Sequence, residues 1–142
     1  MSTFTLFSII NAAILMAWLP LIFAPRTGLT QKMLDFPYIP FVLSFFYVYF
    51  LILDGGLAEA DFSSLEGILA LYHQATPEAA AAGWMHYLAF DYWVGCWVLR
   101  DAQAKNIPHA YLVLPLLCTF MLGPVGIMGY VVSSFIATRR SQ

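Results

Sequence analysis

Residues 83–97, GWMHYLAFDYWVGCW, are almost wholly apolar and aromatic, yet they carry His86 and Asp91. The stretch lies inside a longer run, residues 77–99, of the length that crosses a bilayer, for which ~20 mostly apolar residues suffice. An acidic residue at a helix centre costs about 2.5–3.5 kcal/mol on insertion scales, so such side chains usually face protein and often mark function. Measured from Pro77 at ~1.5 Å per residue, Asp91 lies about 21 Å along the axis, away from both interfaces.

Three further apolar runs flank this one: residues 4–24, 38–53 and 110–136. The chain of 142 residues is 61% hydrophobic and 10% charged, against roughly 25% charged in an average soluble protein, so lipid is the expected solvent. The expectation is an all-α, polytopic membrane protein: one domain, residues 1–142, folded as a four-helix transmembrane bundle. The first run lacks a basic leader and a small-x-small cleavage site before Pro25, and it reads as a retained span rather than a signal peptide. Cys96 and Cys118 fall inside the third and fourth runs and read as small buried apolar residues. Pro115 and the GPVG of residues 123–126 predict bends in the fourth helix, while Gly123, Gly126 and Gly129 permit close helix approach.

Net charge is -2, and the six Lys and Arg form no patch, which argues against a nucleic-acid partner. Four crossings place Arg26, Lys32, Arg100 and Lys105 in two short loops on one side, and Arg139 and Arg140 with the middle loop on the other. The positive-inside tendency then puts the short loops on the cytoplasmic side of the membrane or its equivalent. The middle connection, residues 54–76, carries Asp54, Glu59, Asp61 and Glu66 with no Lys or Arg. Within it Ser63 precedes Glu66 by three, the spacing of a capping box, and Leu65, Ile68, Leu69 and Tyr72 follow at helical spacing. A short amphipathic helix between helices two and three is predicted, at the membrane surface or over the bundle mouth. Thr76, Pro77 and Glu78 signal the next helix start.

Tyr87, one turn before Asp91, is its closest expected neighbour. His86 precedes Asp91 by five, which turns the two side chains ~140° apart. His86 aligns instead with Phe90, Trp93 and Trp97, a face of flat side chains that either stacks on a conjugated ligand or fills the core. His109, beside Pro108, reads as an anchor for the start of helix four. No recognised metal-ligand spacing appears, although His73, His86, Asp54 and Glu59 could gather on the acidic side; no metal is expected. Neither a phosphate-binding glycine loop, nor a G-x-S-x-G elbow, nor a dinucleotide fingerprint is present, and no cofactor is specified.

The blocks GWMHYLAFD (83–91), DAQ (101–103), IPH (107–109) and TFMLGPVG (119–126), preceded by FSSLEGILALY (62–72), occur in one order along the chain. In this they resemble the abscisic-acid-deficient-four-like family of small four-helix membrane proteins, whose plant members are associated with neoxanthin synthesis. The resemblance implies isomerisation of an epoxy-carotenoid to an allenic one without net redox, which needs an acid for epoxide opening and a base for proton removal. It suggests Asp91 as acid and His86 as base, with Tyr87, Phe90, Trp93, Trp97 and Asp54 about a carotenoid-like ligand. The chain departs from the family pattern at Cys96, where an Arg commonly stands. That departure and the 17% aromatic content favour an alternative: a non-catalytic pigment-binding or structural subunit of a larger membrane complex, or a homo-oligomer.

Overall fold

In a computed structural model that describes residues 1–55 and 60–140, the apolar runs fold into helices and no strand forms among the described residues. The described residues form seven α-helices: α1 (Thr3–Phe23), α2 (Gly28–Asp35), α3 (Tyr38–Asp54), α4 (Leu65–His73), α5 (Pro77–Ala104), α6 (Val113–Leu122) and α7 (Pro124–Arg140). The expected second span is preceded by the separate α2, because Phe36 before Pro37 takes an extended conformation, as residues before proline do, and α2 and α3 meet at 54°. Among the described residues α1 alone is, by length and composition, apolar enough to cross a membrane, and the bent α2–α3 pair makes a second such stretch if counted as one span.

Helix α5 is the axis of the fold. It runs parallel to α1: Thr3 Oγ1 donates to Glu78 at 2.6 Å, Trp84 Nε1 donates to Asn11 at 2.9 Å, and Gln103 Nε2 donates to the Pro25 carbonyl at 3.1 Å. Helix α3 runs antiparallel to α5, with Asp54 at its end accepting from Thr76, the N-cap of α5, and Tyr47 stacked on His86. Gly95 admits the Trp18 ring of α1: a Cβ there would lie 2.6 Å from it. Trp18 in turn meets the rings of Tyr92 and Phe120, and this cluster closes the core with Leu21, Met85, Val98 and Leu116.

The greatest difference from the expected four-helix bundle lies in residues 110–136, which form two helices rather than one bent span. At Gly123 (φ +47°) the chain reverses. A Cβ on Gly126 would lie 1.9 Å from Thr119 Oγ1, and one on Gly129 would lie 3.8 Å from Pro115, so contacts step backward along α6 as they advance along α7. The pair is an antiparallel hairpin. Its return arm climbs α5 in parallel, Tyr130 donating to Asp101 and stacking edge-on against Trp97, with Ser134 and Thr138 beside Asp101 and Lys105. The bend predicted from the glycines is real, but Gly123 at positive φ and Gly126 pressed against the Thr119 backbone let it become a full reversal.

At the end where α1 and α5 finish, side chains cap the chain. Thr30 Oγ1 donates to the Ala24 carbonyl at 2.6 Å and Gln31 Nε2 to that of Pro25 at 2.8 Å. His109 Nε2 meets the Ile22 carbonyl at 2.7 Å; a carbonyl only accepts, so the ring nitrogen donates. His109 thus anchors the approach to α6, as expected. Asn106 (φ 55°) turns the chain out of α5, with the Ile107 amide bonded back to Ala102 across the turn.

The acidic connection contains the expected short helix, α4, with a one-residue correction at its start. Ser64, not Ser63, is the N-cap and accepts from the Gly67 amide, while Ser63 is held by the Asp61 carboxylate. Glu59 lies outside the described residues. No residue of α4 is buried, and its Leu65, Leu69 and Tyr72 remain exposed.

Candidate functional site

Helix α5 presents two faces that bear chemistry. On the first, His86 packs on Phe90 (ring centroids 4.8 Å apart) and on Tyr47 of α3 (5.9 Å). Phe90 and Trp93 then line a groove of about 360 Å³ between α5 and α3, completed by Pro37, Pro40, Phe41 and Ser44. A smaller cavity of about 110 Å³ continues it past Trp93 and Cys96 to Arg100 and Asp35. Flat rings and prolines give this face hydrocarbon contacts. Trp97 borders the smaller cavity but turns its ring edge-on to Tyr130 of α7.

The second face carries Trp84, Tyr87 and Asp91, spaced i, i+3, i+7 and so aligned within ~60° of one another. Asp91 meets the tip of the hairpin: a Cβ built at Gly123 would lie 2.6 Å from its Oδ1. Among the described residues no side chain or backbone amide donates a hydrogen bond to this carboxylate. Its neighbour is therefore the reversal of the chain at Gly123, where α6 ends and α7 begins, rather than a cation on another helix.

The expected residues thus divide into groups. His86, Phe90 and Trp93 come together against α3, and Tyr87 comes together with Asp91. His86 and Asp91 do not meet, because helical geometry holds them on different faces. Asp54 is not brought to Asp91 either; bonded to the N-cap Thr76, it stands about 22 Å from Asp91 at ~1.5 Å per residue of α5. Among the described residues no three His, Cys, Asp or Glu side chains converge as a metal site would require.

One functional candidate escaped the sequence reading. Asn11 lies in the middle of α1, and its Oδ1 accepts from Trp84 Nε1. A lone amide inside an uncharged apolar run was the signal available, by the same reasoning that singles out Asp91.

The cations are sorted along the axis. Arg26, Lys32, Arg100, Lys105 and Arg139, with Arg140 at the end of α7, all belong to the end where α1, α5 and α7 finish. Asp54, Asp61, Glu66 and Glu78 belong to the other. In the loop before α4, hydrogen bonds from the Ser63 and Ser64 hydroxyls and the Ser63 amide hold the Asp61 carboxyl at about 2, below its ordinary 3.8.

An all-α protein with apolar outer surfaces, one polar-bearing axial helix and a hairpin tip set against its carboxylate is the class these features define. The chain belongs to the ABA DEFICIENT 4-like family (ABA4-like), whose model matches residues 5–130. No curated protein and no solved structure matches it.

Proposed function

We propose that the protein is an integral membrane protein that binds a carotenoid-like lipid against α5 and isomerises it at Asp91. The exposure of Phe41, Phe45, Leu114, Met121 and Met128 supports lipid as solvent, since contiguous apolar surface of this kind is uncommon on soluble monomers. Three crossings, α1, α2–α3 and α5, suit the parallel and antiparallel pairings, with α6–α7 entering and leaving on one side. All six cations then share one side, and the positive-inside tendency makes that side cytoplasmic or its equivalent.

The observation that carries the reading is Asp91 itself: a carboxyl in mid-helix, set against a chain reversal, with no donor among the described residues. A neutral carboxyl can donate a proton, and the carboxylate it leaves can take one up. In the isomerisation Asp91 gives its proton to the epoxide oxygen as the carbon–oxygen bond breaks. Its carboxylate then removes a proton from the adjacent polyene carbon, and the allene forms. The proton lost is regained, and no oxidant is needed. One carboxyl fills both roles here because His86 faces away.

Expression in cells that accumulate an epoxy-carotenoid tests this. The wild-type chain changes the pigment profile and Asp91→Asn does not; an unchanged profile with the wild type overturns the reading. The ring-lined groove between α3 and α5 favours a second reading, a non-catalytic pigment-binding subunit, in which pigment co-purifies and Asp91→Asn retains it.

A further inference from the structure

We propose that the groove between α3 and α5 holds one acyl chain of an anionic phospholipid, with the phosphate against Arg100 at its mouth. The proposal rests on the reading of the chain as a membrane protein and on no role for Asp91.

Length, lining and charge support this occupant. Along α5 the groove runs from Arg100 past Cys96 and Trp93 to Phe90. That is a rise of about 15 Å, half of the ~30 Å hydrocarbon core and so the depth of one leaflet. On α3 it runs the same way, from Pro37 at the bend after α2 to Ser44. Its deep end is hydrocarbon, since the Ser44 hydroxyl already donates to the Pro40 carbonyl at 2.8 Å and the rest of the lining is rings, prolines and Ala89. A chain without polar atoms suits this end, whereas a ligand hydroxyl would find no free donor there. The mouth is charged. Arg100 and Asp35 both line it, yet among the described residues the ion pair in this half joins Lys105 to Asp101, and no carboxylate comes within pairing distance of Arg100. The Arg100 side chain is exposed, and its charge lies close enough to the Cys96 thiol to act on it. Helix α2, which ends in Asp35, also carries Lys32, so cations outnumber carboxylates around the opening. A basic residue at the interfacial end of a cleft between membrane helices suits an anionic headgroup, and the planar guanidinium matches a phosphate. The side proposed above as cytoplasmic is also the one whose leaflet carries anionic lipid.

The test uses the full chain reconstituted in vesicles that contain phosphatidylglycerol or phosphatidylcholine with the same brominated acyl chains, and reads tryptophan quenching. The part of the quenching that Trp93→Phe removes reports the groove. From it the wild type shows a relative binding constant roughly five-fold higher for phosphatidylglycerol, as one basic residue at the interface supplies. Arg100→Gln brings the ratio to about one, Arg100→Lys keeps it, and Asp35→Asn raises it. A wild type that treats the two lipids alike, a preference unchanged by Arg100→Gln, or one that Asp35→Asn lowers overturns the site. Where pigment co-purifies and phosphatidylglycerol does not displace it, the groove belongs to the pigment and the lipid site is overturned. A chain that stays in the aqueous fraction without detergent sinks the membrane reading itself, whereas one that inserts and shows no lipid preference sinks this site alone.

Discussion

The Asp91 carboxylate and the backbone of Gly123, 32 positions apart in sequence, are in direct apposition: a Cβ on Gly123 would stand 2.6 Å from Asp91 Oδ1. The contact joins the middle of the axial helix to the point where the chain reverses. It exists because residue 123 is glycine, in space as well as in backbone conformation.

Gly123→Ala is accordingly expected to be costly twice. A side chain at φ +47° is strained and the methyl collides with Asp91, together about 2–4 kcal/mol. Thermal unfolding in detergent measures the loss, and pigment conversion should fall with it as the tip is pushed from the carboxyl. A variant as stable and active as the wild type would remove the tip from the site.

Gly126→Ala tests the hairpin without touching Asp91. Its Cβ would lie 1.9 Å from Thr119 Oγ1 and 2.3 Å from the Thr119 amide nitrogen, where backbone cannot yield as a flexible side chain does. Destabilisation of at least about 2 kcal/mol is expected. Double substitution with Thr119→Ala should recover little, since the backbone contact remains.

The reversal also sets on which side α7 ends. With Cys96 and Cys118 replaced by alanine, single cysteines at Ser63, Asn106 and Thr138 are to be labelled with a membrane-impermeant thiol reagent in oriented vesicles. Asn106→Cys and Thr138→Cys should react from one side and Ser63→Cys from the other. Four complete crossings would instead pair position 138 with position 63.

The loop that starts α4 should respond to acid. Asp61 titrates at about 2 in the folded protein against 3.8 ordinarily, so its protonation is linked to the loss of its serine hydrogen bonds. The depressed value means that its contribution is fully present above about pH 4 and is lost as pH falls through 2. Hydrogen exchange at the Gly67 amide, capped by Ser64, should accelerate over that window, and Asp61→Asn should accelerate it already at neutral pH. Exchange that is indifferent to both would deny Asp61 this role.

Much of the architecture was written in local sequence. Apolar runs of fixed length, the Thr76-Pro77 start and the lack of strand patterning specify helices, because cap chemistry and hydrophobic length act over a few residues. The 3.6-residue repeat was enough to part His86 from Asp91, and the order of motif blocks pointed to the family. What the chain's own pattern did not reveal was the direction taken after residue 122. Pro115 and the glycines permit a bend, a kink or a reversal alike. The choice is made by contacts between residues distant in sequence: Tyr130 with Asp101, Trp97 with Tyr130, and Gly123 with Asp91. The neighbour of Asp91 was hidden for the same reason, since it is a backbone turn, and no side-chain pattern announces one. Likewise Asn11 gained its meaning only when α1 packed in parallel on α5 and brought it to Trp84. Local propensity determined the pieces, and long-range packing decided which polar groups share a face.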